Sequence, residues 1–163
     1  MRADPRARLV IVGDGPTRVE LQIQHPDVIF AGMQTGDALA RHYASGDIFL
    51  YPSLTETYGN VTVEAMASGL ATIAYDYAAA HQHIRHDVNG LLVPFDDTAA
   101  FITQAKGLIS DMGRVQRLRH EARQTVESLT WEHIMGQMEA VLFDTVRTQG
   151  VNHVQPEISA ALD

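Results

Sequence analysis

Glu56 and Glu64 stand with seven residues between them in the segment Pro52-Ser53-Leu54-Thr55-Glu56-Thr57-Tyr58-Gly59-Asn60-Val61-Thr62-Val63-Glu64-Ala65-Met66-Ala67-Ser68-Gly69. The second half of this segment predicts a helix from Asn60 to Ser68, with Gly69 just past its end. A helix starting near Gly59 or Asn60 leaves the N–H groups of Gly59, Asn60 and Val61 without helical partners. With the helix dipole behind them, those groups suit a diphosphate. Gly59 also lets the backbone pass close to a ligand. Glu64 falls about one turn into the helix, and its carboxylate can accept two hydrogen bonds, as the vicinal hydroxyls of a ribose would require. Taken singly, a solvated loop acid and an acid complementing a helix N-terminus would account for both glutamates. The surrounding sequence decides between the two readings.

That sequence is an alternation of strands and helices. Leu9-Val10-Ile11-Val12 is a β-branched apolar run closed by Gly13-Asp14-Gly15-Pro16, which predicts a buried parallel strand and a tight turn. A helix over Thr17–Gln24 follows, broken at His25-Pro26-Asp27. Val28–Ala31 predicts a second strand ending at Gly32, and Asp37 is placed to cap a helix that stops near Gly46. Ile48–Tyr51 predicts a third strand, Ala71–Tyr75 a fourth and Leu91–Pro94 a fifth, entered through Asn89-Gly90. A short helix over His81–Arg85 and helices over Ala99–Ser110, Arg114–Glu127 and Trp131–Thr148 complete the pattern. The expected fold is therefore α/β, a Rossmann-like parallel sheet covered by helices. Residues 1–149 are expected to form one domain, and 150–163 a loose tail. Ligands of such sheets bind at the carboxyl ends of the strands. The loops after Val12, Ala31, Tyr51 and Tyr75 are the places to look.

Composition narrows the classes. A formal charge of −8 argues against broad binding to nucleic acid or anionic membrane. Cysteine is absent, which removes disulfides, thiolate metal sites and cysteine nucleophiles and suits a reducing cytoplasm. No apolar run is long enough to span a bilayer. Gly13-Asp14-Gly15 has Arg18 where a dinucleotide fingerprint needs its third glycine, so it reads as a structural turn. His81, His83 and His86 lie within one short segment, but only Asp87 could complete a ligand set, and a solvated helix face explains them better. No metal is assigned.

The glutamate pair with Tyr58-Gly59 between and Glu-Ala-Met-Ala-Ser-Gly after resembles the E-x7-E signature of glycosyltransferase family four, the group 1 retaining enzymes. Arg8–Pro16, Val28–Gly32, Asp47–Ser53, Asn89–Val93 and Leu129-Thr130-Trp131 resemble segments of the same family, so the resemblance covers about residues 8 to 147. It implies the C-terminal, donor-binding half of a GT-B fold, beginning just before that domain's second strand. It further implies transfer of a hexose from a GDP- or UDP-sugar to a lipid or glycan hydroxyl, with no cofactor besides the donor. Glu56 would be the catalytic-site acid that holds the hexose and Glu64 would hold the ribose. Gly59, Asn60 and Val61 would take the diphosphate, Thr57 and Tyr58 would line the loop, and Gly32 and Met33 would border the base.

Two departures stand out. Where many relatives carry Gly-Gly followed by an acid, this chain has Ala78-Ala79-Ala80-His81, and its Tyr75–Ala80 run is most like bacterial members that transfer mannose or glucose. The family's first strand, with its Gly-Arg and downstream Lys, has no counterpart here, so the chain by itself is expected to be inactive. An alternative is a non-catalytic nucleotide-sugar-binding module that works with an N-terminal acceptor domain on another chain. Any peripheral membrane contact would come through that domain. Nucleotide-sugar epimerisation is a third, weaker reading.

Overall fold

The computed structural model describes residues 7–150. The chain divides after Glu127 into two units. In the first, strands β1 (Val10–Val12), β2 (Ile29–Gly32), β3 (Ile48–Tyr51), β4 (Ala71–Tyr75) and β5 (Leu91–Val93) alternate with helices α1 (Arg18–Gln24), α2 (Gly36–Ser45), α3 (Asn60–Ala67) and α4 (Ala78–His83), and α5 (Thr98–Ser110) and α6 (Met112–Val126) follow β5. The second unit holds α7 (Trp131–Gly150), opened by Thr130, whose hydroxyl accepts the His133 N–H at 3.2 Å. Of the tail expected over 150–163, Gly150 is the last residue of α7 and the rest lies outside the described residues.

β4 is the centre of the first unit. All five of its residues are buried, as a parallel strand covered on both faces requires. It pairs in parallel with β3 on one side and β5 on the other. Ala71, Ile73 and Tyr75 share one face of the strand, and Leu91 and Val93 continue that face on β5. Against them pack Phe101, Ala105 and Leu108 of α5 with Val115 and Leu118 of α6. The spacing of those helical residues is that of a single apolar stripe. Asp111 joins the two helices: it ends α5, and its side chain accepts the Arg114 N–H at 2.9 Å to start α6.

The sheet is not continuous. β1 and β2 form a parallel pair of their own, and β3-β4-β5 form a second sheet. This corrects the expectation that Leu9–Val12 is buried: each of the four is 37–48% exposed, because β1 has a neighbour on one edge only.

Other differences are local. The fourth helix starts at Ala78 rather than His81, as three successive alanines favour. Thr35, not Asp37, occupies the cap position of α2, and Asp37 sits in the first turn. The fifth strand stops at Val93 because Pro94 has no N–H to donate.

The Asn89-Gly90 turn is fixed from inside. Asn89 is fully buried, accepts the Arg85 N–H at 2.7 Å, and donates to the His83 carbonyl and the Thr125 hydroxyl, both at 2.9 Å. One amide therefore ties the end of α4 to α6. Asn89→Ala is expected to lower unfolding stability by about 2 kcal/mol, within the range for orphaned buried partners. Urea denaturation checks this, and an unchanged midpoint would sink it.

Candidate functional site

Parallel pairing sets Tyr51 beside Ala74, so the loops leaving β3 and β4 emerge on the same edge of the sheet. The two loops are joined by main chain as well as side chain. The Ala79 N–H donates to the Tyr58 carbonyl at 2.7 Å. Gly59, at φ +93, packs against this junction, and a Cβ there would stand 3.4 Å from the Ala79 Cβ. Left-handed backbone and close approach both call for glycine at this position.

Between the loops lies a pocket with Tyr51, Ser53, Glu56, Tyr58, Tyr77 and Ala78 among its lining residues and an enclosed volume of about 10 Å³. That is room for about one water-sized group, against the 300–1,000 Å³ or so of a small-molecule site, so it can hold only a corner of a ligand. Glu56 forms one wall. Its Oε1 accepts hydrogen bonds from the Tyr51 hydroxyl and from Ser53 Oγ, the latter at 2.8 Å. Its Oε2 has no hydrogen bond among the described residues. The Tyr77 hydroxyl takes the Glu56 N–H at 3.1 Å and donates to the Glu56 carbonyl at 2.5 Å. Glu56 is thus held at three of its polar groups and open at the fourth.

Ala78 follows Tyr77 at φ +49. An L-residue pays about 1–2 kcal/mol for that left-handed conformation. Ala78 is the first of the three alanines standing where the family resemblance leads one to expect a Gly-Gly pair. The alanines keep the close approach that glycines would allow and add methyl groups to the pocket lining.

Along α3, the N–H groups of Gly59, Asn60 and Val61 have no carbonyl partner among the described residues, while Thr62 N–H turns back to Gly59 O at 3.0 Å. Glu64 lies one turn further on and is exposed. Its Oε2 accepts from the Tyr43 hydroxyl of α2 at 3.1 Å, which leaves Oε1 available. Thr57 and Asn60 are exposed and Val61 is half-buried beside this helix start. Gly32 and Met33 are at the carboxyl end of β2, in the other sheet. Gly32 is buried at φ +72, and Met33 is 66% exposed. Neither lines the pocket beside Glu56.

Sequence reasoning picked the acids but missed the groups that hold them. Ser53 and Tyr51 had a local signal, three and five residues before Glu56. Tyr43 and Tyr77 had none, since each is 21 residues from the acid it serves.

The histidines point in separate directions. His81 pairs with Asp76 at 2.6 Å, His83 Nε2 meets the Tyr58 hydroxyl at 2.7 Å, and His86 Nδ1 meets the Leu92 backbone. Burial lowers the pKa of His83, which favours the neutral ring as acceptor for Tyr58. Asp14, in the Gly13–Gly15 turn, is engaged by Gly15 N–H and Arg18.

An α/β unit with paired loops at its strand ends, a held acid and an open helix start has the layout in which Rossmann-like folds place their ligand sites. Residues 1–111 match the family described as Glycosyl transferases group 1, and the chain belongs to that family. It is 38% identical over 131 residues to a GDP-mannose-dependent alpha-mannosyltransferase of Corynebacterium glutamicum, covering 80% of this chain and 32% of that one. The C-terminal domain of a group 1 protein, LpcC, from Francisella tularensis superposes with a TM-score of 0.66 at 26% identity, over 74% of this chain and 68% of that one. HepE of Anabaena, solved in complex with UDP-glucose, has the same fold at a TM-score of 0.72 and 22% identity, over 87% of this chain and 42% of that one. The chain spans about a third of the length of the curated relatives it matches. The fold is that of the C-terminal part of GT-B glycosyltransferases. No helix among the described residues is long and apolar enough to cross a membrane.

The held tyrosines have a pH signature. Burial first, then the charge and hydrogen bond of Glu64, push Tyr43 up to about 12. Burial first, then the hydrogen bond from Tyr51 to Glu56, push Tyr51 to about 12 as well. Both hydroxyls therefore remain donors beyond the pH at which an ordinary tyrosine ionises. A raised tyrosine pKa contributes stability that is complete below the unfolded value near 10 and is lost as pH rises toward 12. Absorbance titration of the five tyrosines should show two ionising late, and Glu64→Gln should bring Tyr43 earlier. Five ordinary titrations would contradict the geometry.

Proposed function

We propose that the chain is the donor-binding part of a retaining hexosyltransferase that uses a nucleoside diphosphate sugar. The observation that carries this is the state of Glu56: locked by Tyr51, Ser53 and Tyr77, yet with Oε2 free beside a pocket too small for a whole nucleotide. A sugar hydroxyl is the partner such an oxygen suits. The N–H groups of Gly59, Asn60 and Val61 take the diphosphate, with Thr57 and Tyr58 alongside. Glu64 takes the ribose through the oxygen that Tyr43 leaves free. Gly32 and Met33 border the base. The mannosyltransferase relative favours GDP-mannose as donor, and the acceptor in this reading is a lipid or glycan hydroxyl. The cysteine-free composition fits a cytoplasmic setting.

In the reaction, the bond from the hexose anomeric carbon to the diphosphate breaks and one to the acceptor oxygen forms on the same face. Acceptor positioning is worth a large share of the barrier in two-substrate reactions. The residues assigned here all serve the donor. A second reading, a binding module that works with an acceptor domain on another chain, is favoured by the edges of β1 and β3 that no described residue pairs with.

Calorimetric titration with GDP, UDP, GDP-mannose and UDP-glucose tests the site. GDP-mannose is expected to bind, and Glu64→Ala to weaken it by about tenfold or more, the worth of a charged hydrogen bond. Binding of none of the four would sink the assignment. The chain alone is expected to show no transfer, so turnover that is lost on Glu56→Ala would overturn that part of the reading.

A further inference from the structure

Glu56 sits in a loop between Pro52 and Gly59, and a loop acid is free to swing unless something fixes its main chain. Ser53 and Tyr51 fix the carboxylate, but both lie on the same loop or the strand feeding it, so they move with it. Among the described residues, the one side chain that hydrogen-bonds Glu56 from another element is Tyr77, at the start of α4. Its single hydroxyl serves as acceptor for the Glu56 N–H and donor to the Glu56 carbonyl, which sets the peptide planes on both sides of the Cα. The ring that carries the hydroxyl is itself held. It stands edge-on to Phe95 with centroids 5.3 Å apart, and Phe95 also contacts Tyr75 at 6.1 Å. Phe95 is in the loop after β5, so three successive strand-end loops meet at this contact.

We propose that Tyr77 is a positioning residue for Glu56, tying the loop after β3 to the loop after β4 and so setting where the free carboxylate oxygen meets the sugar. The role rests on the donor-site reading above, in which Glu56 holds the hexose. It implies a split. The hydroxyl acts on the sugar end of the site, and the diphosphate and ribose contacts belong to α3 and Glu64. Loss of the clamp should therefore weaken the sugar's contribution to binding and leave the nucleotide's unchanged. A tyrosine with a merely structural role would weaken both together.

Tyr77→Phe in the full chain tests this, with Phe95→Leu as a second variant that keeps the hydroxyl but loosens the ring. Thermal unfolding reports on folding of each. Hydrogen exchange is read over residues 52–59, and calorimetry is run with GDP against GDP-mannose and UDP against UDP-glucose. The Glu56 amide should exchange at least about tenfold faster in Tyr77→Phe, while α5 and α6 exchange as before. The preference for nucleotide sugar over nucleotide should fall by about tenfold, the worth of one hydrogen bond, with nucleotide affinity unchanged. Phe95→Leu should move both readouts the same way by less. If wild type prefers the nucleotide sugar and Tyr77→Phe keeps that preference, or its 52–59 exchange is unchanged, the role of Tyr77 is overturned and the donor site stands. If wild type binds no nucleotide, or binds the sugar conjugate no better than the nucleotide, the reading of Glu56 fails and takes the role of Tyr77 with it.

Discussion

The burial of β4 on both faces is the constraint from which the site follows. A strand covered on both sides can satisfy its backbone only through its two edges, and here parallel neighbours occupy both. Parallel pairing sends every strand end in one direction. The loops after β3, β4 and β5 consequently converge, bringing Glu56, Tyr77 and Phe95 together from positions far apart in sequence. An antiparallel neighbour would have sent one of those loops to the opposite edge.

Convergence alone would leave an acid waving in a loop. The chain surrounds its two acids with hydroxyls, and burial keeps those of Tyr43 and Tyr51 protonated far above neutral pH. A neutral donor steadies a carboxylate without cancelling its charge, whereas an arginine at the same place would pair with it and compete with a ligand. Each acid keeps one oxygen free of protein hydrogen bonds. The arrangement orients the acid and leaves it open to accept.

Much of this was legible in the residues. The β3 and β4 boundaries could be read directly, because both strands are short apolar runs bounded by Pro52, Gly69 and turn residues. The candidate site was legible because its residues are local: the helix start, Gly59 and the two acids lie within nine residues. What could not be read is whatever depends on tertiary distance. Tyr43 and Tyr77 look like ordinary aromatic residues of a helix and a loop until the sheet brings them to the acids. The exposure of Leu9–Val12 was illegible for the same reason. An apolar β-branched run states what a strand would bury and says nothing of whether a neighbour covers it.

That exposure divides the site energetically. β3, β4 and β5 rest on α5 and α6, so the acid, the pocket and the start of α3 stand on a packed base. β1 and β2 pair only with each other, and a lone two-stranded unit is marginal in water. Gly32 and Met33, assigned to the base, belong to this weaker pair. On the proposed reading the sugar and diphosphate contacts would be preorganised, whereas contacts to the base would carry the added cost of ordering the segment that makes them. A strand set between β1 and β3 would bury Leu9–Val12 and join the two sheets, lowering that cost without touching the ligand. Affinity for the nucleotide would then depend on the continuity of the sheet, and the sugar subsite much less so.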